Sequence, residues 1–450
     1  MRETLNWRRP FTLTLILDLD CSREKSKIVA SIREFETQLK ASTHPVKKLI
    51  HFLRIFLLSN GAQAKEQIVF SVVFDGEKID FVNFLIAGLR TAFLGVVENV
   101  AGGGELGALK SDTDLVKWVL SHDCNPSTYH VGTVWNSLAE IHNDRKLFVE
   151  ISAFFDQHSD LHQFDPQNIK RLVEQMIAVR MPNVALHPDK KRTLLVLRCL
   201  DAVLFRLVIL LIPTIPAIFF VLLMGWSWIS LAWLIPIVTI AILLGFAGFI
   251  RYGEIAEEDL ELWPDDSHVR RIVSTENVGG QNQITLIADI KDSFFRRSII
   301  VIALWIADAV SRHWYRRGVL AGIDTIHFAR FFLINDNTQM LFLSDYDGSW
   351  GRYLFDFTGV GSLAVVPIWS SLKGCPKAKF LRWPEVGFEE RFLPFTRLCQ
   401  IETQCWFSSY PRLTVSEIKR NEMIRSGLFK QASDREILDW LALFGGAASV

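Results

Sequence analysis

Between Leu207 and Ile250 the chain has no Asp, Glu, Lys, Arg or His across 44 residues. Soluble helices rarely lack a charged face over such a length, so the absence argues against a buried helix pair. Other signals are missing too. Cys21, Cys124, Cys199, Cys375, Cys399 and Cys405 form no C-x-x-C and no His/Cys ligand spacing; they read as reduced cytoplasmic thiols, with no zinc site and no disulfide frame. Formal net charge is zero and the pI is about 7.2, which leaves no electrostatic footprint for nucleic acid. Arg2, Glu3, Arg8 and Arg9 are followed by no apolar core, so no cleavable signal is expected. No Ser-His-Asp, H-E-x-x-H or Walker pattern stands out, and Gly102-Gly103-Gly104 follows no strand and reads as a loop.

What is present begins with the charge-free run itself. One hydrocarbon crossing takes about 20 apolar residues, so the run is long enough for two. Gly225-Trp226-Ser227-Trp228 at its middle suits a turn and an interfacial aromatic belt. The expectation is a helical hairpin, about 204–224 and 229–250, within a membrane segment 201–250. Lys190, Lys191, Arg192, Arg198, Arg206 and Arg251 flank it while the turn is uncharged, which places both flanks in the cytoplasm. Pro213, Pro216 and Pro236 have no ionisable partner within the spans, which disfavours a transporter or channel.

The soluble parts repeat each other. Leu13-Thr14-Leu15-Ile16-Leu17-Asp18-Leu19 returns as Ile284-Thr285-Leu286-Ile287-Ala288-Asp289-Ile290, and Ile50-His51-Phe52-Leu53-Arg54 as Ile326-His327-Phe328-Ala329-Arg330. Phe74-Asp75-Gly76 returns as Tyr346-Asp347-Gly348, and the capping boxes Ser137-x-x-Glu140 and Thr414-x-x-Glu417 also correspond. Each copy reads strand, helix, strand, strand, helix, strand, the ferredoxin-like plan. The fold class expected is therefore α+β: two duplicated ferredoxin-like halves of the dimeric α+β barrel type, joined by the transmembrane hairpin. Two such halves bury their open sheet faces against each other.

The boundaries are a first repeat at 11–155, a helix (Gln167–Val179) and linker within 156–200, the membrane segment, a spacer at 251–280, and a second repeat at 281–435. Seven carboxylates within Glu254–Asp266 make the spacer read as solvated. Ser298–Val310 is apolar between basic ends and too short to span. It suits a core or cover helix, or one lying in the membrane interface.

The second copy carries the more recognisable motifs: Thr325-Ile326-His327-Phe328-Ala329-Arg330, Ser344-Asp345-Tyr346-Asp347-Gly348-Ser349 and Tyr410-Pro411-Arg412. In these it resembles an uncharacterised microbial family with a T-x-H-F-A-R and S-N-Y-D-G-S motif pair, whose members lie beside or are fused to dye-decolourising peroxidase-like haem proteins. The likeness covers about 281–430 well and 11–155 weakly. It departs at Asp345, where the family has Asn, and at Leu53 and Glu77 in the first copy. The resemblance implies a haem-peroxidase-type partner and the bacterial inner membrane.

Six side chains are candidates for ligand binding. His327 and His51 are present in both copies, and either could ligate haem iron or act in acid–base chemistry; the plainer reading is a buried, hydrogen-bonded histidine. Strand alternation puts Arg330 and Arg54, three residues on, on the opposite face, where each is expected to pair with Asp347 or Asp75. Asp75-Gly76 and Asp347-Gly348 read as turn or helix-capping residues, with Gly taking φ > 0. Two functions follow: a membrane-anchored, non-catalytic accessory protein that binds a ligand or partner between its halves, or a peroxidase-like, haem-dependent oxidoreductase with His327 as axial ligand.

Overall fold

A computed structural model describes residues 10–20, 22–58, 66–101, 111–134, 136–158, 164–182, 203, 234–257, 260, 262–276, 280–313, 322–359, 362–381, 383–384 and 388–448. The first half runs β1 (Phe11–Asp18), α1 (Lys25–Ala41), β2 (Ile50–Leu58), β3 (Gln67–Phe74), α2 (Lys78–Val97), α3 (Asp112–Ser121), β4 (Thr128–Val131), α4 (Leu138–Gln157) and α5 (Pro166–Arg180). Next come α6 (Leu234–Ala256) and α7 (Asp266–Val273). The second half continues with β5 (Gln281–Asp289), α8 (Phe294–His313), β6 (Ile326–Ile334), β7 (Gln339–Asp347), α9 (Trp350–Thr358) and α10 (Ser362–Trp369). A small ribbon of β8 (Ala378–Lys379) and β9 (Trp383–Pro384), then α11 (Phe388–Cys399), β10 (Cys405–Ser408), α12 (Val415–Leu428) and α13 (Asp434–Leu441), complete it. The duplicated order and the strand positions agree with the repeat read from the sequence.

The pairing does not follow the simple plan. Two four-stranded antiparallel sheets form, in the orders β1-β3-β2-β10 and β4-β6-β7-β5. The fourth strand of each half therefore joins the other half's sheet: Trp406 of β10 sits opposite Arg54, and Tyr129 of β4 opposite Arg330. Just before each exchanged strand the chain makes an isolated β-bridge to its own half, Leu15 to Asp123 and Leu286 to Gln400. These crossings close the two sheets into one barrel-like body and cover strand edges that would otherwise be open. The lobes are in contact and share strands.

Burial follows the pleat. Outward-facing residues such as Leu53, Ile55, Phe70 and Val72 pack under α1 and α2, and Ala329, Phe331 and Phe342 pack under the second half's helices. Inward-facing Phe52, Val73, Val131 and Phe328 meet between the sheets, as do Phe56, Val69, Phe332 and Leu343. The expected ligand space between the halves is thus filled by side chains from both sheets. A helical annex of α4, α5, α12 and α13 forms a separate core, with Ile151, Val173, Ile424 and Leu441 at its centre.

The membrane segment is described only in part. The first arm, about 204–224, lies outside the described residues but for position 203 at its edge, and the second corresponds to α6, displaced toward the C-terminus. Among the described residues one helix, α2, is long and apolar enough to cross a membrane, and half of its apolar window is buried in the first lobe's core. A two-helix transmembrane hairpin therefore gains no support from the described residues.

The acidic stretch after α6 is less solvated than its composition suggested. Glu254 is buried, pairs with Arg251 at 3.2 Å and accepts the backbone N–H groups of Phe380 and Leu381 at 2.8 and 2.7 Å. Both of those residues hold φ of 55°, costly for side chains of this size, and the carboxylate's two hydrogen bonds offset that cost. Glu257 grips the guanidinium of buried Arg296 through both oxygens and also takes Lys291 at 2.8 Å. Farther along, Glu276 pairs with Arg397. Composition counts carboxylates, but buried Arg partners decide their environment, and here they fasten α6 to the second lobe.

Candidate functional site

The repeated His and Asp converge at one end of the inter-sheet core. β2 and β6 each carry a register shift, between Ile50 and Phe52 and between Ile326 and Phe328. Such a bulge inserts one residue and breaks alternation, so the expectation that His and Arg face opposite ways fails. His51, Phe52 and Arg54 all point between the sheets, as His327, Phe328 and Arg330 do: the His51 ring is 5.5 Å from Phe328, and the Phe52 ring 5.3 Å from His327.

Each histidine is held by the aspartate at the end of the neighbouring strand. His51 Nε2 lies 2.9 Å from Asp75 Oδ1, and His327 Nε2 lies 2.8 Å from Asp347 Oδ1. The second carboxylate oxygens reach much farther along the chain: Asp75 Oδ2 accepts from Leu138 N at 2.6 Å, and Asp347 Oδ2 from Val415 N at 2.7 Å. Those amides are the first of α4 and α12. The capping boxes satisfy the neighbouring orphan amides, with Ser137 and Thr414 accepting from the N3 positions and Glu140 and Glu417 reaching back. Asp75 and Asp347 are helix-capping residues, as expected, but for helices 63 and 68 residues away and not for the ones that follow them. Gly76 and Gly348 do take φ of 96° and 82°. Because α4 and α12 follow the exchanged strands, each His–Asp pair ties one sheet to a helix leaving the other.

Tyr410 joins the two pairs. Its hydroxyl is 3.0 Å from His51 Nδ1, and its ring is 5.8 Å from that of His327. Burial pushes the Tyr410 phenol well above its ordinary value, so the hydroxyl beside His51 keeps its proton. Hydroxyl, imidazole and carboxylate then form a chain of the kind used in acid–base relays. Both imidazoles are fully buried, and only the Asp75 carboxylate reaches the surface, with about a fifth of its side chain exposed.

Deeper between the sheets lie the two arginines. They do not pair with Asp75 or Asp347. Both meet Asp345: Arg54 in a close ion pair, and Arg330 at 3.4 Å. All three side chains are buried. Arg54 also donates to Ile284 O at 2.8 Å, Thr285 Oγ1 at 3.0 Å and Ser344 O at 2.9 Å, while Arg330 donates to Ser71 Oγ at 2.8 Å. Each guanidinium therefore crosses from the middle of one sheet into the other. Trp406 on exchanged β10 donates to Asp345 at 2.9 Å. Burial, opposed by Asp345 and aided by Arg54, lowers the Arg330 pKa to about 10, and the group stays charged at neutral pH. Asp345 is the residue the candidate set omitted. Its signal was there: an acid where the resembled motif has Asn, and where the first copy has Val73.

The annex adds one titratable contact between α4 and α12. Arg425 Nε donates to Asp144 at 2.7 Å, yet burial outweighs that partner and raises the Asp144 carboxyl to about 6. A carboxyl whose folded pKa exceeds its unfolded value of 3.8 holds its proton more tightly when folded. Its contribution is greatest below about pH 4 and is lost as pH rises through about 6, a change of order 2–3 kcal/mol. Denaturant titrations between these pH values should show this slope, and an Asp144→Asn protein should flatten it.

Among the described residues no group of three or more His, Cys, Asp or Glu could hold a metal ion. For haem, the one atom in the site that iron could take is His327 Nδ1, which has no partner. Axial ligation also needs an open approach and a slot for the macrocycle. Phe52 and Tyr410 pack against that ring, which has no exposed surface. As packed, these residues do not fit a haem. No family model, curated protein or solved structure matches this chain.

Proposed function

We propose that this chain is a membrane-tethered, non-catalytic accessory protein whose two cytoplasmic lobes act as one body beside a haem-peroxidase-type partner. In this reading the stretch 201–250 is the helical hairpin, about 204–224 and 229–250, that anchors it in the bacterial inner membrane. One observation carries the tether. Ile237, Ile240, Leu244, Phe246 and Phe249 of α6 are all exposed, and in water each forgoes roughly 1.5–3 kcal/mol of burial. A lipid environment removes that cost. The Glu254 and Glu257 contacts would pass the anchor's position on to the second lobe. The non-catalytic part is supported by the His, Asp and Arg motifs, whose carboxylates cap helices and bind the imidazole Nε2 atoms and guanidiniums.

The test of the tether is extraction and sidedness. Protein in native membranes should stay in the pellet through alkaline carbonate washing, and cysteines placed at Ala101 and Glu402 should label from the same face. Release by carbonate, or labelling from opposite faces, defeats the proposal. The second reading, a haem-dependent oxidoreductase, has only the unpartnered His327 Nδ1 behind it, against the packing of Phe52 and Tyr410 on that ring. Detergent-purified protein supplemented with haem and then freed of unbound haem should be colourless. A Soret band that disappears in His327→Ala would instead establish the oxidoreductase.

A further inference from the structure

We infer that the outer face of α8 lies in the headgroup–acyl boundary of the bilayer, so that the second lobe rests on the membrane as well as being anchored to it. This rests on the tether reading above. The helix is two-sided. Ile300 and Leu304 are buried against the second lobe's core, and the Leu304 carbonyl accepts from Thr128 of exchanged β4 at 2.7 Å. On the other side Phe294, Val301, Ile302, Trp305 and Ile306 are exposed, Phe294 by 89% and Trp305 by 68%. Val301, Ile302, Trp305 and Ile306 lie three and four residues apart, and Phe294 lies two turns before Val301 on the same face, so they make one apolar face, too large and too aromatic for an ordinary water-facing helix.

The position of α8 against α6 identifies lipid as the occupant. α8 begins where α6 ends its charge-free run: the Phe249 and Phe295 rings meet edge-on at 5.1 Å, and Gly253 of α6 packs on the same Phe295 ring. The Arg296–Glu257 pair locks this junction. If Phe249 marks the membrane boundary, the start of α8 is held at the depth of the headgroups. Tryptophan and arginine are the side chains suited to that depth. Beside the stripe, a groove of about 420 Å³ is lined by Arg297, Ser298, Val301 and Ile302 and by Asp336 and Asn337 of the β6–β7 turn. Arg297, with 41% of its side chain exposed and its Nη2 3.6 Å from Asp292, presents a guanidinium to a lipid phosphate. Asp336 offers one for a headgroup ammonium, so a zwitterionic phospholipid matches both.

The experiment uses the full chain in phosphatidylcholine nanodiscs with brominated acyl chains. Ile302→Cys, on a background with Cys21, Cys124 and Cys199 replaced by serine, carries an environment-sensitive fluorophore; Leu244→Cys reports on the tether and Val179→Cys on α5 serves as the exposed control. The labelled side chains are exposed, so folding is spared. Bromination should cut emission at 302 about twofold, as expected for a face seated at the acyl boundary, and leave 179 unchanged. Quenching at 244 but not at 302 overturns this inference and leaves the tether standing. Loss of quenching at both positions overturns the two together. A signal at 302 that appears only when several chains share one nanodisc assigns the stripe to a second copy, and also overturns it.

Discussion

An Asp345→Asn protein should lose about 3–5 kcal/mol of stability, the usual cost of leaving a buried charge without its partner. Asp345 is the sole counter-ion among the described contacts of Arg54 and Arg330, and all three side chains lie out of water. Asparagine keeps the shape and the acceptor for Trp406 but strands two guanidiniums, whose remaining partners are neutral hydroxyls, an amide and carbonyls. Urea unfolding followed by circular dichroism measures the change. A second protein separates charge from shape. Replacing Arg54, Asp345 and Arg330 together by Met, Val and Met removes both the attraction and the desolvation cost, and should recover most of the loss. Asp345→Asn within about 1 kcal/mol of the parent would show that the cluster is not the electrostatic centre described here.

Neither lobe should fold when produced alone. A fragment of residues 10–158 lacks β10, so the Phe52–Ile55 edge of β2 loses its partner, and Phe52, Phe56 and Val69 lose the facing sheet. Exposing several such side chains costs about 1.5–3 kcal/mol each, comparable in sum with the whole stability of a domain of this size. Open strand edges also favour aggregation. The expected result is an insoluble or disordered fragment, and in the intact chain a single unfolding transition seen equally by probes in both halves. Two separate transitions, or a soluble fragment with cooperative melting, would contradict the exchange of β4 and β10.

Much of this was legible in the residues. The repeated apolar segments around Leu13–Leu19 and Ile50–Arg54 fall within β1 and β2, which read as largely apolar because one sheet face packs under helices and the other against the second sheet. The capping boxes at Ser137 and Thr414 marked two helix starts, since Ser-x-x-Glu chemistry is local. The faces of His51 and His327 were misplaced for an equally definite reason. A bulge adds one residue without altering the pattern of residue types, and only the register reveals it. Pairing Arg54 with Asp75 failed because sequence proximity favours a local carboxylate, whereas folding brought Asp345 across 291 positions.

The sequence by itself determined two copies of one α+β plan, a charge-free stretch between them, and the residue types from which the site is made, all set by short-range periodicity and composition. The tertiary structure alone decided which sheet each fourth strand enters, which helix each aspartate caps and which acid neutralises the two arginines. Those choices minimise the number of strand edges and polar groups left without partners in the whole body, a condition that no local stretch of chain can express.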